Sequence, residues 1–97
     1  MAKVDDGEPE GLALAALGWV LGDEDRADRL LALTGVSPEE LRERIGERDV
    51  LAAILEFVLS HEPDLIACAE ALGVAPKALE KAHAALAAPM GDADWGA

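Results

Sequence analysis

The sequence predicts an all-α fold, an orthogonal bundle of five or six short helices joined by helix-turn-helix-like corners. Apolar residues make up 52% of the chain, but only 3% of the residues are aromatic and tyrosine is absent. Strands favour aromatic and β-branched side chains, whereas the apolar content here is mainly alanine and leucine, which favour helices. Glycine and proline recur at the ends of the apolar segments, where helices stop and start.

The length of 97 residues corresponds to one small domain. A chain of this size buries roughly 64% of its unfolded surface, which is enough for a single core. We expect the helical domain to span residues 10–88. Residues 1–9 and 89–97 are expected to be flexible acidic tails, because both contain glycine, proline and several carboxylates.

Two segments are apolar around most of their circumference and are predicted to form the core. The first helix is expected from about Glu10 to Leu21, and the fourth from about Arg48 to Ser60. The first has small residues at helical spacing, a face that would let another helix approach closely: Gly11, Ala15, Gly18 and Gly22. The fourth is predicted to be the central helix, with one narrow polar strip: Asp49, Ala52, Ala53, Glu56 and Ser60.

The other four helices are predicted from their start and stop signals. Asp23 is a suitable N-cap for the second helix, and Ser37 with Glu40 forms the pattern of a capping box at the third. Gly35 and Gly73 occupy the position of a left-handed helix stop. The predicted ranges are about Asp23 to Thr34, Pro38 to Ile45, Glu62 or Pro63 to Leu72, and Pro76 to about Ala88.

Three ion pairs are predicted on exposed helix faces from residues that lie three or four positions apart. These pairs are Asp25–Arg29, Glu39–Arg42 and Glu40–Arg44.

The formal net charge of −12 argues against nucleic-acid binding and against binding to an anionic membrane. Residues 11–88 alone carry fourteen acidic against seven basic residues, so the folded part is itself acidic. Such a charge promotes solubility, and it also suits a surface that docks a basic partner. The longest uncharged run is too short to span a membrane.

Cys68 is the single cysteine, so no internal disulfide can form, and we expect a reducing, cytoplasmic location. The N-terminus lacks the apolar segment of a secretory signal.

No pattern in the sequence indicates catalysis or metal binding. The residues with suitable chemistry lack the spacing of any metal or nucleophile motif: His61, Glu62, Asp64, Cys68 and His83. Cys68 falls on an apolar helix face, where cysteine behaves as a small buried hydrophobe. We therefore predict no catalytic residues, no cofactor, no metal and no small-molecule ligand.

The corner between the fifth and sixth helices, residues 69–79, has the glycine and apolar spacing of a helix-turn-helix. A DNA-reading helix needs several polar and basic side chains. The sixth helix offers few such residues: Lys77, Glu80, Lys81 and His83. A degenerate helix-turn-helix regulator that binds a protein instead of DNA is therefore the alternative interpretation.

The chain resembles a bacterial family of short, all-helical proteins classed as a domain of unknown function. The resemblance covers roughly residues 10–88 and is carried by four stretches: Leu33 to Arg42, Val50 to Leu59, Glu62-Pro63 and Gly73 to Pro76. It implies an all-helical domain of about this length and no established activity. Among the shared polar positions, Arg42 is the one that the resemblance singles out.

Taken together, the sequence predicts a small acidic, non-enzymatic protein-interaction module whose partner is another protein or a second copy of the chain. A small enzyme or metal-binding protein is the third interpretation. Three residues are candidates for contact with a partner: Arg42, Trp19 and Trp95. For Arg42 the alternative is a pair with Glu39, and for Trp95 it is packing against its own domain or disorder.

Overall fold

The computed structural model describes residues 8–88, and over this range the chain forms six helices and no strand. The predicted all-α fold is confirmed. The helices are α1 Pro9–Leu21, α2 Glu24–Thr34, α3 Pro38–Glu43, α4 Arg48–Leu59, α5 Glu62–Leu72 and α6 Pro76–Ala87.

The predicted caps form at the starts of α2 and α3 and at two helix ends. The Asp23 carboxylate accepts a hydrogen bond from the Arg26 backbone N–H at 3.1 Å, and the Ser37 hydroxyl accepts one from the Glu40 backbone N–H at 3.1 Å. Gly35 and Gly73 end α2 and α5 with φ of 75° and 74°, the left-handed conformation that glycine adopts without strain.

Two details at the helix ends differ from the prediction. Helix α1 begins at Pro9, which was assigned to the tail, because proline is well suited to a first helical position. Helix α3 ends at Glu43 and not at Ile45, because the backbone of Arg44 leaves the helical conformation as the chain turns toward α4.

Helix α4 lies at the centre of the domain and contacts α1, α2, α5 and α6. The two predicted core segments do meet, since α1 packs against α4 and both pack against α6. Their inward residues are almost fully buried: Leu12, Ala13, Ala16 and Val20 on α1, and Leu51, Ile54, Leu55 and Val58 on α4.

The predicted small-residue face of α1 does not admit another helix, so this expectation was wrong. Gly18 is exposed, and a Cβ atom built on it would have no other atom within 4 Å. The helix instead turns Leu12, Ala13 and Val20 inward, because larger apolar side chains remove more surface from water than glycine does.

Over the described range, no helix combines the length and apolar character needed to cross a membrane.

Replacing Gly18 with alanine should stabilise the protein, because the position is helical, exposed and free of steric conflict. Loss of glycine's backbone entropy from the unfolded chain is worth roughly 0.5–1 kcal/mol, or about 2–8 °C in Tm for a domain of this size. Thermal unfolding followed by circular dichroism measures this change.

Gly35→Ala is the matched control, since it also meets no atom within 4 Å but has a φ of 75°. Alanine is strained in that conformation, so Gly35→Ala should lower Tm while Gly18→Ala raises it. Equal changes in Tm for the two substitutions would contradict the helical backbone at Gly18 and the left-handed backbone at Gly35.

Candidate functional site

Helices α1, α2 and α3 surround an apolar groove of about 200 Å³, which we call the α1–α3 groove. Arg42 is its one charged lining residue, and the rest of the surface is aliphatic. The lining residues are Leu17, Leu21, Leu31, Pro38, Leu41, Arg42 and Ile45.

The groove is open because α1 carries more leucine than the core covers. Leu14, Leu17 and Leu21 follow one another at intervals of three and four residues and therefore lie along one face of the helix. Leu17 is buried, but Leu14 is 44% exposed and Leu21 is 49% exposed. Helix α3 lines the groove together with α1 but has only six residues and contacts α1 little, so the two outer leucines stay in contact with solvent.

Arg42, the first predicted site residue, is exposed and lies at this groove. The expected ion pair with Glu39 does not form, and Arg42 has no ion pair within residues 8–88. Because an arginine side chain can lay its aliphatic part on apolar surface, Arg42 can line the groove and keep its guanidinium at the edge.

Trp19, the second predicted site residue, packs against the core and is partly buried. The guanidinium of Arg26 lies 3.7 Å from the centre of its ring, and Arg26 Nη2 donates a hydrogen bond to the Trp19 carbonyl at 3.4 Å. These contacts assign Trp19 to an intramolecular cation–π pair away from the groove lining. Trp95, the third predicted residue, lies outside the described residues.

Cys68 is fully buried in the core. Burial raises the pKa of its thiol to about 11, an effect that the Arg26 charge reduces and the Asp64 carboxylate reinforces. The thiol is therefore protonated at neutral pH, and a protonated thiol is a weak nucleophile.

The pair between Arg29 and Asp64 joins α2 to α5. Arg29 Nη2 lies 3.3 Å from Asp64 Oδ2, and the guanidinium lies 5.4 Å from the centre of the Phe57 ring. The predicted pair with Asp25 does not form. The Asp64 side chain is nearly buried, and a carboxylate in such a position needs a partner more than the exposed Asp25 does.

Arg44 holds the turn between α3 and α4 through three carboxylates. Its Nε donates to Glu47 at 2.9 Å, and its terminal nitrogens lie 3.5 Å from Asp49 and 3.9 Å from the predicted partner Glu40. The hydrogen bond and charge of Glu47 raise the pKa of the Arg44 guanidinium, with smaller contributions from Asp49 and Glu40. Glu40 thus contacts Arg44, and over the described range its carboxylate does not complete the capping box with Ser37.

Residues with metal-binding or catalytic chemistry are not gathered at one place in the described part of the chain. No group of three His, Cys, Asp or Glu side chains there could hold a metal ion. His61 is exposed at the start of α5, and His83 lines a shallow cleft between α4 and α6.

Sequence reasoning did not predict the groove, because a groove depends on how three helices meet. The leucine stripe of α1 was the available signal, since Leu14 and Leu21 lie on a side that the short helices had to cover. Arg42 was selected from the family resemblance and not from any expected groove.

The described part of the chain is thus an acidic six-helix domain with one face of α1 open along an apolar groove. It belongs to a protein family of unknown function, DUF3572, whose sequence profile matches residues 6–89. The predicted membership in a family of short helical proteins without an assigned function is therefore confirmed. No curated protein and no solved structure showed significant similarity to the chain.

Cys68 should react slowly with a thiol reagent in the native protein. At about pH 8, a pKa near 11 leaves roughly a hundredfold less thiolate than the ordinary value of 9.0, and burial also blocks access. The rate of labelling by a chromogenic disulfide measures this effect, and the same protein in denaturant is the control. Because the chain has one cysteine, the signal belongs to Cys68. Equally fast labelling in both states would contradict the buried, protonated thiol.

Proposed function

We propose that this protein is a small acidic, non-enzymatic interaction module that holds an apolar side chain of a partner protein in the α1–α3 groove. The observation that carries the proposal is the groove itself, an aliphatic depression of about 200 Å³ with Leu21 half-exposed at its edge. An apolar cavity of about 150 Å³ takes up a benzene molecule, so this groove has room for one large side chain. Buried anchors of this kind supply much of the affinity of protein interfaces.

The non-enzymatic part of the proposal rests on the state of the reactive groups. Cys68 is a protonated thiol in the core, and the Asp64 carboxylate is engaged by Arg29. A cytoplasmic location is part of the same proposal, since a reducing compartment suits a lone free thiol.

Arg42 has a defined role in the proposed complex. Arg42 lines the groove and has no ion-pair partner within residues 8–88. It can therefore bind a carboxylate or a backbone carbonyl of the partner and set the orientation in which the anchor enters.

The α5–α6 corner supports a second candidate, a regulator of helix-turn-helix type that acts through protein contacts. The left-handed Gly73 joins the two helices, and α6 exposes Lys77, Glu80 and Lys81. Two lysines beside a glutamate form a weak surface for phosphate in a chain of net charge −12. Salt-dependent retention on a DNA column would support a regulator, and the absence of retention at low salt would exclude its DNA-binding version.

Leu21→Asp tests the proposed function because it places a charge at the edge of the groove without changing a buried residue. Affinity capture from the native cells, compared quantitatively between variants, should show partners that bind the wild type and are reduced tenfold or more by Leu21→Asp. Desolvating a carboxylate in an apolar contact costs more than the 1.4 kcal/mol that a tenfold loss requires.

Leu33→Asp is the matched control, since Leu33 is 68% exposed and lies outside the groove. It should keep the captured partners, and Arg42→Ala should weaken them to an intermediate level. Circular dichroism checks that all three variants fold. Capture that is indifferent to Leu21→Asp would exclude the groove as the docking site.

A further inference from the structure

We infer that the partner presents a cationic amphipathic helix to the α1–α3 groove, an inference that rests on the proposed function. Exposed carboxylates lie on the groove side of the helices, and most arginines of residues 8–88 are engaged away from it.

The helices that form the groove carry exposed carboxylates beside its lining. On α1, Glu10 lies two turns before the lining residue Leu17. On α2, Glu24 and Asp28 lie two turns and one turn before the lining residue Leu31. These spacings place each acid on the same side of its helix as the lining leucine. On α3, Glu39 lies three residues before the lining residue Arg42. The four acidic residues are Glu10, Glu24, Asp28 and Glu39, all exposed.

None of these four carboxylates takes part in an ion pair within residues 8–88. Apart from Arg42, the arginines of this range are engaged elsewhere: Arg29 binds Asp64, Arg44 binds three other acids, and Arg26 lies on the ring of Trp19. Arg48 donates a hydrogen bond to the Ala85 carbonyl at 2.7 Å. The groove side of α1, α2 and α3 therefore combines an apolar floor with four carboxylates against the single positive charge of Arg42, which is a surplus of negative charge.

A helix with apolar residues on one face and lysine or arginine on the other complements such a surface. Helices that dock into apolar grooves present anchors at intervals of three, four and seven residues. One anchor fills the groove, and a second reaches the exposed Leu14 further along α1. The basic residues then meet the carboxylates on either side, which speeds association and rejects acidic partners.

A second copy of this chain is a poor occupant by the same reasoning. Each copy carries a net charge of −12 and would bring the same acidic surface to the contact, so approach is opposed by like charge.

Two synthetic amphipathic helices test the inference against the full chain. They share one leucine pattern and length, and their polar faces carry either lysine or glutamate. Fluorescence anisotropy should show at least tenfold tighter binding of the lysine peptide, with an affinity that falls as salt is raised. Methyl NMR should place the contact at the groove, with shifts at Leu17, Leu21, Leu31, Leu41 and Ile45.

Two charge-neutralising double variants distinguish attraction by the carboxylates near the groove from attraction by the net charge of the whole protein. Asp28→Asn with Glu39→Gln should weaken the binding of the lysine peptide about threefold to tenfold, as expected for two exposed charge pairs. Glu70→Gln with Glu80→Gln removes the same charge from exposed positions on α5 and α6 and should have little effect. Equal losses in the two double variants would overturn the inference, because they would show attraction by net charge alone.

Other occupants give different results, and each would overturn the inference. Groove methyl signals that shift on dilution of the free protein would identify a second copy. Groove signals that shift in the free Trp95→Ala variant would identify the chain's own C-terminal segment. If the glutamate peptide binds the groove as tightly as the lysine peptide, the groove is a docking site without a charge preference. The cationic inference then fails while the proposed function stands. The proposed function fails separately, when Leu21→Asp leaves capture unchanged.

Discussion

The packing of α1 against α4 and α6 is the constraint on which the rest of this structure depends. None of the six helices exceeds thirteen residues, and helices of that length are marginal in water by themselves. Their stability comes from the shared core, in which Leu55, Val58 and Leu12 are fully buried. Helices α2 and α5 pack on other parts of α1, whereas α3 contacts it little, so one face of α1 stays incompletely covered. The groove therefore exists because α1, α4 and α6 form the core and the remaining helices are too short to cover the outer face of α1.

Polar contacts fix the outer helices where apolar contacts are few. Arg29 ties α2 to α5 through Asp64, and Arg44 ties the end of α3 to the start of α4 through Glu47 and Asp49. Both links use arginine, whose planar guanidinium can serve several partners at once. This use of the arginines leaves the carboxylates on the groove side without partners within residues 8–88, so the same arrangement that holds the bundle together gives the groove its charge.

Local signals in the sequence predicted the helices well, because caps and glycine stops act over three or four residues. Asp23, Ser37, Gly35 and Gly73 perform the predicted roles. Features that depend on the packing of helices against one another were predicted poorly. Arg29 binds Asp64, which lies thirty-five residues away, and not Asp25 on its own helix. The inner face of α1 was wrongly assigned to its glycines, because spacing alone does not show which side of an apolar helix will face the core. The groove was missed for the same reason, although Arg42 was selected.

The short helix α3 forms one wall of the groove, and few contacts attach it to the other helices. It contributes a single buried side chain, Leu41, and its far end is secured by ionic contacts that are open to solvent. Dissolved ions compete with such contacts at physiological concentrations and above. We therefore expect α3 to be the part of the domain most sensitive to ionic strength, since the α1–α4–α6 core is held by apolar contacts that salt does not screen.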